Sequence, residues 1–133
     1  MNGQCLCGHV QFSVIAKSNN ITACHCSICR KQSGGISLAL EVDGRSLIFQ
    51  DQSMLAIFHS SEWAHRGFCK NCGTIIFWQL NDQSYCNVNH FLINFELATQ
   101  LTLTTEIFIE DKPEYYEFSN KTHKMTEKDL LNL

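Results

Sequence analysis

The sequence of 133 residues has one proline, few charged residues and no long apolar run. No segment approaches the roughly 20 consecutive apolar residues that a membrane-spanning helix needs. Basic residues are not in excess, because ten lysines and arginines stand against thirteen aspartates and glutamates, a net charge of -3. A nucleic-acid-binding protein needs a dense basic face. The composition therefore argues against both a membrane partner and a nucleic-acid partner.

The first ten residues, MNGQCLCGHV, also lack the charged and then apolar pattern of a secretory signal peptide. We therefore expect a cytoplasmic protein, in a compartment that keeps thiols reduced. The length is that of one ordinary domain, and the sequence shows no internal repeat, linker or low-complexity stretch. We expect residues 1–133 to form a single domain.

Cysteine, by contrast, is abundant. The eight cysteines lie at positions 5, 7, 24, 26, 29, 69, 72 and 86. An even number of cysteines in a small secreted protein indicates disulfides, but short clusters of thiols suit one metal ion better than bridges to distant partners. Metal binding is the favoured interpretation.

Two cysteine pairs, each followed by a glycine, are far apart in the sequence: Cys5-Leu6-Cys7-Gly8 and Cys69-Lys70-Asn71-Cys72-Gly73. Such a glycine lets the backbone turn tightly, so that amide N–H groups can point at the sulfurs. Two pairs of this kind make a closed tetrahedral four-thiolate site when they meet. A redox dithiol is the alternative, but no thioredoxin-like βαβ pattern surrounds the C-x-x-C pair. We predict a structural metal site here, for which zinc is a more common occupant than iron.

Three further cysteines fall within six residues, in Cys24-His25-Cys26-Ser27-Ile28-Cys29. A short loop can wrap three sulfurs around one ion and leave the fourth position open, which is the pattern of a catalytic zinc. Three thiolates on a divalent ion leave a negative charge, which weakens its pull on water and suits it to a sulfur ligand from outside. Arg30 and Lys31 follow directly. They offset this charge, receive an anionic substrate or are simply solvated surface charges, and the last interpretation is favoured for these two residues alone.

Two residues affect the ligand count at this second site. His25 stands between two cysteines, and in an extended backbone its side chain points the other way. A supporting or substrate contact is therefore favoured over ligation by His25. Cys86 lies outside the clusters and is expected to be a small buried hydrophobe. If Cys86 instead binds the ion, the site is closed and the simplest catalytic argument is lost.

The remaining sequence has the alternation and the turns of a mainly β protein. Asp43-Gly44 separates two apolar segments and predicts a tight hairpin turn. Thr126 predicts the N-cap of a short terminal helix. Near residue 106, the alternation places Leu103 and Ile107 on an apolar face and Glu106 on the opposite face. The predicted strands are His9–Ile15, Ser37–Val42, Arg45–Gln50, Leu55–Phe58, Thr74–Gln79, Tyr85–Val88 and Leu101–Ile109.

The order of the three cysteine motifs resembles the glutathione-dependent formaldehyde-activating enzyme family, which includes centromere protein V-like proteins. The matching stretches are Cys5–Phe12, Cys24–Gly35 and Arg66–Gly73. Past Leu80, fewer of the family's motifs are visible. The resemblance implies a β-tent fold, in which small antiparallel sheets surround zinc-binding loops. It also implies two zinc ions per chain: a structural zinc on Cys5, Cys7, Cys69 and Cys72, and a catalytic zinc on Cys24, Cys26 and Cys29.

The same resemblance implies a carbon–sulfur lyase that acts on the adduct of a small aldehyde with glutathione or another thiol. The thiolate is the reactive form of the thiol, and its attack on formaldehyde gives a hydroxymethyl thioether; the lyase reaction is the reverse step. His25, His65 and His90 are the candidate general bases by residue type, but the sequence gives none of them a catalytic role.

Two other functions are compatible with the cysteine pattern. A non-catalytic zinc module would use both metals for structure and bind a protein partner through aromatic residues such as Phe58, Trp63 and Phe68. A thiol redox protein would need reversible disulfides without metal. An exchangeable fourth ligand at the second site distinguishes the enzyme from the module.

Overall fold

The computed structural model describes residues 1–94 and 100–132, and in this part of the chain the fold is mainly β. Within these residues, strands form one sheet of three and one sheet of eight, accompanied by two short α-helices. None of the described helices is long and apolar enough to cross a membrane. The strands are β1 (Asn2–Gln4), β2 (Gln11–Ser13), β3 (Ala16–Cys24), β4 (Ser37–Val42), β5 (Ile48–Phe49), β6 (Leu55–Phe58), β7 (Ala64–Cys69), β8 (Ile75–Leu80), β9 (Cys86–Asn89), β10 (Thr102–Ile107) and β11 (His123–Met125), and the helices are α1 (Ser27–Ser33) and α2 (Glu127–Leu131).

The larger sheet has the strand order β11-β10-β3-β4-β9-β8-β7-β6. Neighbouring strands in the stretch β3-β4-β9-β8-β7-β6 of this order are antiparallel. In contrast, β10 is parallel to both of its neighbours, β3 and β11. The smaller sheet, in the order β1-β2-β5, is antiparallel. Phe49 of β5 contacts Phe12 of β2 and Phe77 of β8 through ring packing. The small sheet therefore packs on the large one, and apolar side chains from both form the core.

Several predicted elements are present. Ser37–Val42 and Leu55–Phe58 form strands with the predicted bounds, and the strands expected at Thr74–Gln79 and Tyr85–Val88 begin one residue later. Thr126 caps α2 in a reciprocal capping box, in which its hydroxyl accepts from the amide of Asp129. The strands β1, β3, β7 and β11 and the helix α1 were not predicted.

The predicted hairpin at Asp43-Gly44 is wrong, because β4 and β5 belong to different sheets. Asp43 accepts a hydrogen bond from the amide of Arg45, which starts a turn of 3-10 helix over Gly44–Ser46. Gly44 is needed there for space, since a Cβ at this position would lie 2.9 Å from the backbone carbonyl oxygen of Gln83. The dipeptide thus serves a close packing contact with the turn between β8 and β9 and not a hairpin.

The predicted polar placement of Glu106 is also wrong, because this side chain is only 2% exposed. A bulge in β10 interrupts its pairing with β3: Leu103 lies opposite Ile21, and after the bulge Glu106 lies opposite Ala23. Since one extra residue moves later side chains to the other face of a strand, Glu106 faces the same side as Leu103.

Candidate metal centres

The first predicted site is assembled in the structure. The sulfurs of Cys5, Cys7, Cys69 and Cys72 lie within 4.8 Å of one another, with 3.6 Å between Cys5 and Cys7 and 3.7 Å between Cys7 and Cys69. A tetrahedral zinc ion with bonds of about 2.3 Å to sulfur holds its ligands about 3.8 Å apart. The four sulfurs therefore fit a metal ion such as zinc.

Two tight turns present these sulfurs. Gly8 and Gly73 have φ angles of 82° and 77°, in the left-handed region that favours glycine. The Gly8 amide donates to the Cys5 carbonyl oxygen, and the Gly73 amide donates to that of Cys69. The Val10 amide donates to Cys5 Sγ at 3.3 Å. The predicted tight turns at the two glycines are thus confirmed, and an amide donor to sulfur is present at Cys5.

Polar side chains support the two less buried sulfurs. The hydroxyl oxygen of Thr74 lies 3.0 Å from Cys72 Sγ, and His9 Nδ1 lies 3.2 Å from Cys7 Sγ. Hydrogen bonds from Asn71 and His9 lower the pKa of Cys7 to about 5. Hydrogen bonds from Thr74 lower the pKa of Cys72 to about 7. Both effects favour the thiolate, which is the form that binds metal.

The second predicted site is also assembled. Cys24 ends β3, Cys26 caps α1, and Cys29 lies in the first turn of that helix. Their sulfurs lie within 4.8 Å of one another, and those of Cys24 and Cys29 are 3.4 Å apart. The Cys29 amide donates to Cys26 Sγ at 3.3 Å. Hydrogen bonding within the trio lowers the pKa of Cys26 and raises that of Cys24. The spacing of the three sulfurs fits a metal ion.

His25 is fully buried and forms part of a polar network behind the three-cysteine loop. Its Nε2 lies 2.9 Å from Glu106 Oε1, and its Nδ1 lies 3.2 Å from the Tyr116 hydroxyl. Thr122 donates to the other oxygen of Glu106. Burial raises the pKa of Glu106, but the bonds from Thr122 and His25 outweigh it and keep this pKa below its ordinary value.

Sequence reasoning missed this network because its members are 81 and 91 residues away from His25. The only signal was a glutamate in an otherwise apolar and threonine-rich strand. Both ring nitrogens of His25 are engaged here, which agrees with a supporting role.

Cys86 is a buried residue of the core. Among the described residues, the groups able to hold a metal are the four-cysteine and three-cysteine sets, and Cys86 belongs to neither. Burial raises the pKa of this thiol to about 12. The structure therefore places Cys86 as a neutral packing residue.

Charged residues near the three-cysteine cluster include one that the sequence did not single out. Arg30 donates from Nε to the carbonyl oxygen of His25, while Lys31 is exposed. Arg66 is buried and its Nη2 donates to Cys29 Sγ at 3.6 Å. Its position in the third motif, three residues before Cys69, was the available signal.

The other candidate residues lie elsewhere. His65 contacts Asn81 and Gln79, and His90 Nδ1 contacts the carbonyl oxygen of Leu38. The aromatic residues proposed as a partner surface differ in exposure: Phe58 and Trp63 are exposed, whereas Phe68 is half-buried.

These features define a mainly β protein with two cysteine sites that could each hold a metal ion. The sequence model of the glutathione-dependent formaldehyde-activating enzyme family matches residues 1–111, so the chain belongs to this family. The match continues well past Leu80, where few motifs were visible in the sequence alone.

Individual relatives agree with the family assignment. The chain is 29% identical over 133 residues to an uncharacterized lyase of Schizosaccharomyces pombe, covering 97% of this chain and 93% of the relative. It is 25% identical over 131 residues to a Halomonas elongata protein that is provisionally named a glutathione-dependent formaldehyde-activating enzyme, covering 91% and 82%. A crystal structure of a Rhodobacter sphaeroides protein superposes with a TM-score of 0.63 at 23% identity, covering 71% of this chain and 89% of that one. The last similarity shows the fold.

Proposed function

We propose that the chain is a zinc-dependent, carbon–sulfur lyase-like enzyme acting on the adduct of a small aldehyde with glutathione or another small thiol. The observation that carries the proposal is the three-sulfur cluster of Cys24, Cys26 and Cys29, whose geometry fits an ion and which neither Cys86 nor His25 completes. The family, and the names of relatives as a lyase and a formaldehyde-activating enzyme, support the reaction class.

The two clusters are assigned different roles. We assign a structural zinc to the four-sulfur cluster of Cys5, Cys7, Cys69 and Cys72, because four thiolates make a closed site. We assign a catalytic zinc to the three-sulfur cluster. When bound there, zinc supplies an open position that holds an external thiol in its thiolate form.

The chain's own residues prepare this site for an anionic sulfur. Arg66, whose Nη2 lies 3.6 Å from Cys29 Sγ, offsets negative charge on the cluster. His25 lies between Cys24 and Cys26 in the sequence, and its bond to Glu106 fixes the position of this cysteine-bearing segment. By holding thiol and aldehyde together, the protein replaces a bimolecular encounter with a positioned one, which is a large source of rate enhancement.

The reaction is balanced without any redox partner. The thiolate sulfur attacks the carbonyl carbon, a C–S bond forms, and the π electron pair moves to oxygen, which then takes up a proton. The product is a hydroxymethyl thioether when the aldehyde is formaldehyde. In the lyase direction the hydroxyl proton leaves, the C=O bond forms again, and the C–S bond breaks to release the thiolate.

We also propose that residues 1–133 form one domain and that the protein works in the cytoplasm. All eight cysteines are free in the structure, which suits a reducing compartment.

Cobalt substitution tests the open position. With cobalt in both sites, glutathione should change the absorption bands that report sulfur coordination, because its thiolate becomes a fourth ligand. The change should vanish in Cys29→Ser and persist in Cys86→Ala, a matched control at a buried cysteine outside both clusters. Hydroxymethyl thioether formation from glutathione and formaldehyde, followed by NMR, should show the same dependence. A fully sulfur-coordinated spectrum before glutathione is added, lost in Cys86→Ala, would overturn the proposal.

A further inference from the structure

The strand β6 forms one edge of the larger sheet. It pairs with β7 on one side, and within residues 1–94 and 100–132 no strand lies on its other side. An edge strand presents a row of backbone N–H and C=O groups that can pair with a strand of another chain. The backbone of β6 is therefore a template for pairing, and its sequence determines which partner it suits.

The other strands at the sheet edges are protected against such pairing. The strand β11 has three residues and carries Lys124, and β5 has two residues. The strand β1 is covered, since Gly3 is bridged to Ile93 and the Asn94 amide donates to the Asn2 carbonyl oxygen. Short strands, lysines and covering segments are the features by which proteins block edge-to-edge pairing.

The strand β6 lacks these protecting features. The sequence from Gln52 to Ser61 contains no lysine, arginine, aspartate, glutamate or proline. Two apolar side chains of the strand are open to solvent, since Ile57 is 46% exposed and Phe58 is 57% exposed. Like charges that face each other across two strands are destabilising, and an uncharged strand avoids them when it pairs with its own copy. An acidic or basic peptide would find no complementary charge on β6.

The hydrogen bonds of β6 show which backbone groups point outward. The Lys70 amide donates to the Met54 carbonyl oxygen at 2.7 Å. Because bonded pairs alternate along an antiparallel ladder, Leu55 and Ile57 point their backbone groups away from β7. The Leu55 amide already donates to the Gln52 carbonyl oxygen at 3.1 Å. Ile57 is therefore the residue of β6 that presents both its N–H and its C=O to a neighbouring strand.

We propose that β6 pairs antiparallel with β6 of a second copy of the chain, with Ile57 opposite its own counterpart on a two-fold axis. The N–H of each Ile57 then donates to the C=O of the other, which is the self-complementary contact that a two-fold dimer requires. In the same register, Phe58 of each copy lies opposite Ala56 of the other. The exposed ring therefore covers a small side chain on both sides of the axis.

The neighbouring registers fit the strand less well. With Leu55 opposite Ile57, the Leu55 amide would be needed for the ladder, but it is bound to Gln52. With His59 opposite Ile57, the pairing would run past the end of β6 at Phe58. A shift of one residue would also direct the paired side chains to opposite faces of the joined sheet.

The contact is small, because one strand of four residues from each copy takes part. Its area therefore falls below the roughly 1,600 Å² of a standard interface, so a weak dimer is expected. No cysteine of either cluster lies in β6. The inference is therefore independent of the proposed function, and the dimer can be measured without any substrate.

Sedimentation velocity of the full chain, with its metal ions and under reducing conditions, measures this association. The parent should be mainly dimeric at about 100 µM and mainly monomeric at about 1 µM. Ile57→Lys and Ile57→Glu each place like charges opposite each other on the axis, and each should weaken the dimer roughly tenfold or more. Ile15→Lys is the matched control, since Ile15 is 67% exposed and lies outside β6, and it should associate as the parent does.

An equimolar mixture of Ile57→Lys and Ile57→Glu tests the register. The mixture should form a dimer at concentrations where each variant alone is monomeric, because opposite charges then face each other across the axis. Failure of the mixture to associate would overturn the pairing of Ile57 with its own counterpart, and the inference with it.

Three other results would overturn the inference. A parent that is monomeric at about 100 µM has no such dimer, and dimers of Ile57→Lys as strong as those of the parent would mean that another surface associates. If the Ile57 variants do not fold by circular dichroism, hydrogen exchange of the parent decides the matter. The Ile57 amide should exchange several-fold more slowly at the higher concentration, and exchange that does not depend on concentration would contradict the pairing.

Discussion

The two cysteine clusters use the same chemistry for different structural purposes. The four-sulfur cluster joins residues 62 positions apart in sequence, and Cys5 and Cys69 lie in the hydrophobic core. The three-sulfur cluster comes from one short loop at the start of α1, beside a cavity. A metal that closes a long loop removes more conformational freedom from the unfolded chain than one that closes a short loop. The first cluster is therefore expected to govern folding, and the second to be available for reaction.

The largest expected effect comes from breaking the four-sulfur cluster. Cys69→Ser removes a buried ligand, and structural zinc contributes on the order of 10 kcal/mol in small metal domains. We expect this variant to be unfolded or very unstable at neutral pH, as measured by circular dichroism and thermal unfolding. A Cys69→Ser protein as stable as the parent would refute the structural role.

The corresponding cysteine-to-serine change in the three-sulfur cluster tests whether the two clusters differ in their effect on folding. Cys26→Ser should lower the metal content from two ions per chain to one, while most of the unfolding temperature is retained, because its loop is local. Cys86→Ala controls for loss of a buried thiol and should keep both ions. Elemental analysis measures the metal in each case, and a parent protein holding one ion after zinc is added back would contradict the division.

A smaller effect is expected from the network that supports only the second cluster. Glu106→Ala leaves the buried ring of His25 and the hydroxyl of Thr122 without their acceptor, which should lower the free energy of unfolding by about 3 kcal/mol. Because His25 lies between two ligands, metal affinity at the three-sulfur cluster should fall roughly 10- to 100-fold.

Chelator competition measures the metal affinity of each cluster and so shows whether the loss in Glu106→Ala is confined to the three-sulfur cluster. Glu41→Ala is the matched control, since Glu41 is partly exposed and lies 3.8 Å from Lys17; it should change neither stability nor metal affinity appreciably. An equal loss of affinity at both clusters in Glu106→Ala would mean that the network acts on the whole fold and not on the loop.

The contrast between the clusters also explains what the sequence could predict. Both cysteine clusters were predictable because the spacing within each cysteine motif is local, and so are the turns at Gly8 and Gly73, which occupy the left-handed backbone region. Ser37–Val42 was predicted as an apolar segment beside Asp43-Gly44, and its bounds as a strand are confirmed although the hairpin is not.

The failures concern residues whose surroundings come from distant parts of the chain. A bulge in β10 turned Glu106 toward the core, and the pairing of β5 with β2 replaced the hairpin at Asp43-Gly44. Arg66 contacts Cys29, from which it is separated by 37 positions in the sequence. Neither the burial of Arg66 nor its contact with sulfur was therefore visible in the sequence. Arg66, which contacts Cys29, and Glu106, which contacts His25, were therefore missed by sequence reasoning.

The smallest effect is expected at the hydroxyl that supports the first cluster. Thr74 Oγ1 lies 3.0 Å from Cys72 Sγ, and Thr74→Val removes this donor while keeping the shape of the side chain. Loss of such an outer contact typically weakens metal binding about tenfold. Without the bond, the pKa of Cys72 should rise from about 7 toward its ordinary value. Since protons compete with metal for the thiolate, the pH at which half of the metal is released should move upward.

Thr74→Ser decides whether the hydroxyl itself is responsible. It retains the donor and should bind metal as the parent does, with an unchanged pH of release, because only a methyl group is lost. Chelator competition at several pH values should show the weakening in Thr74→Val at the four-sulfur cluster alone. If Thr74→Ser is as weak as Thr74→Val, packing at this position and not the hydrogen bond supports Cys72. If the three-sulfur cluster weakens equally, the two centres are coupled through the sheet, and their separation into a folding site and a reactive site fails.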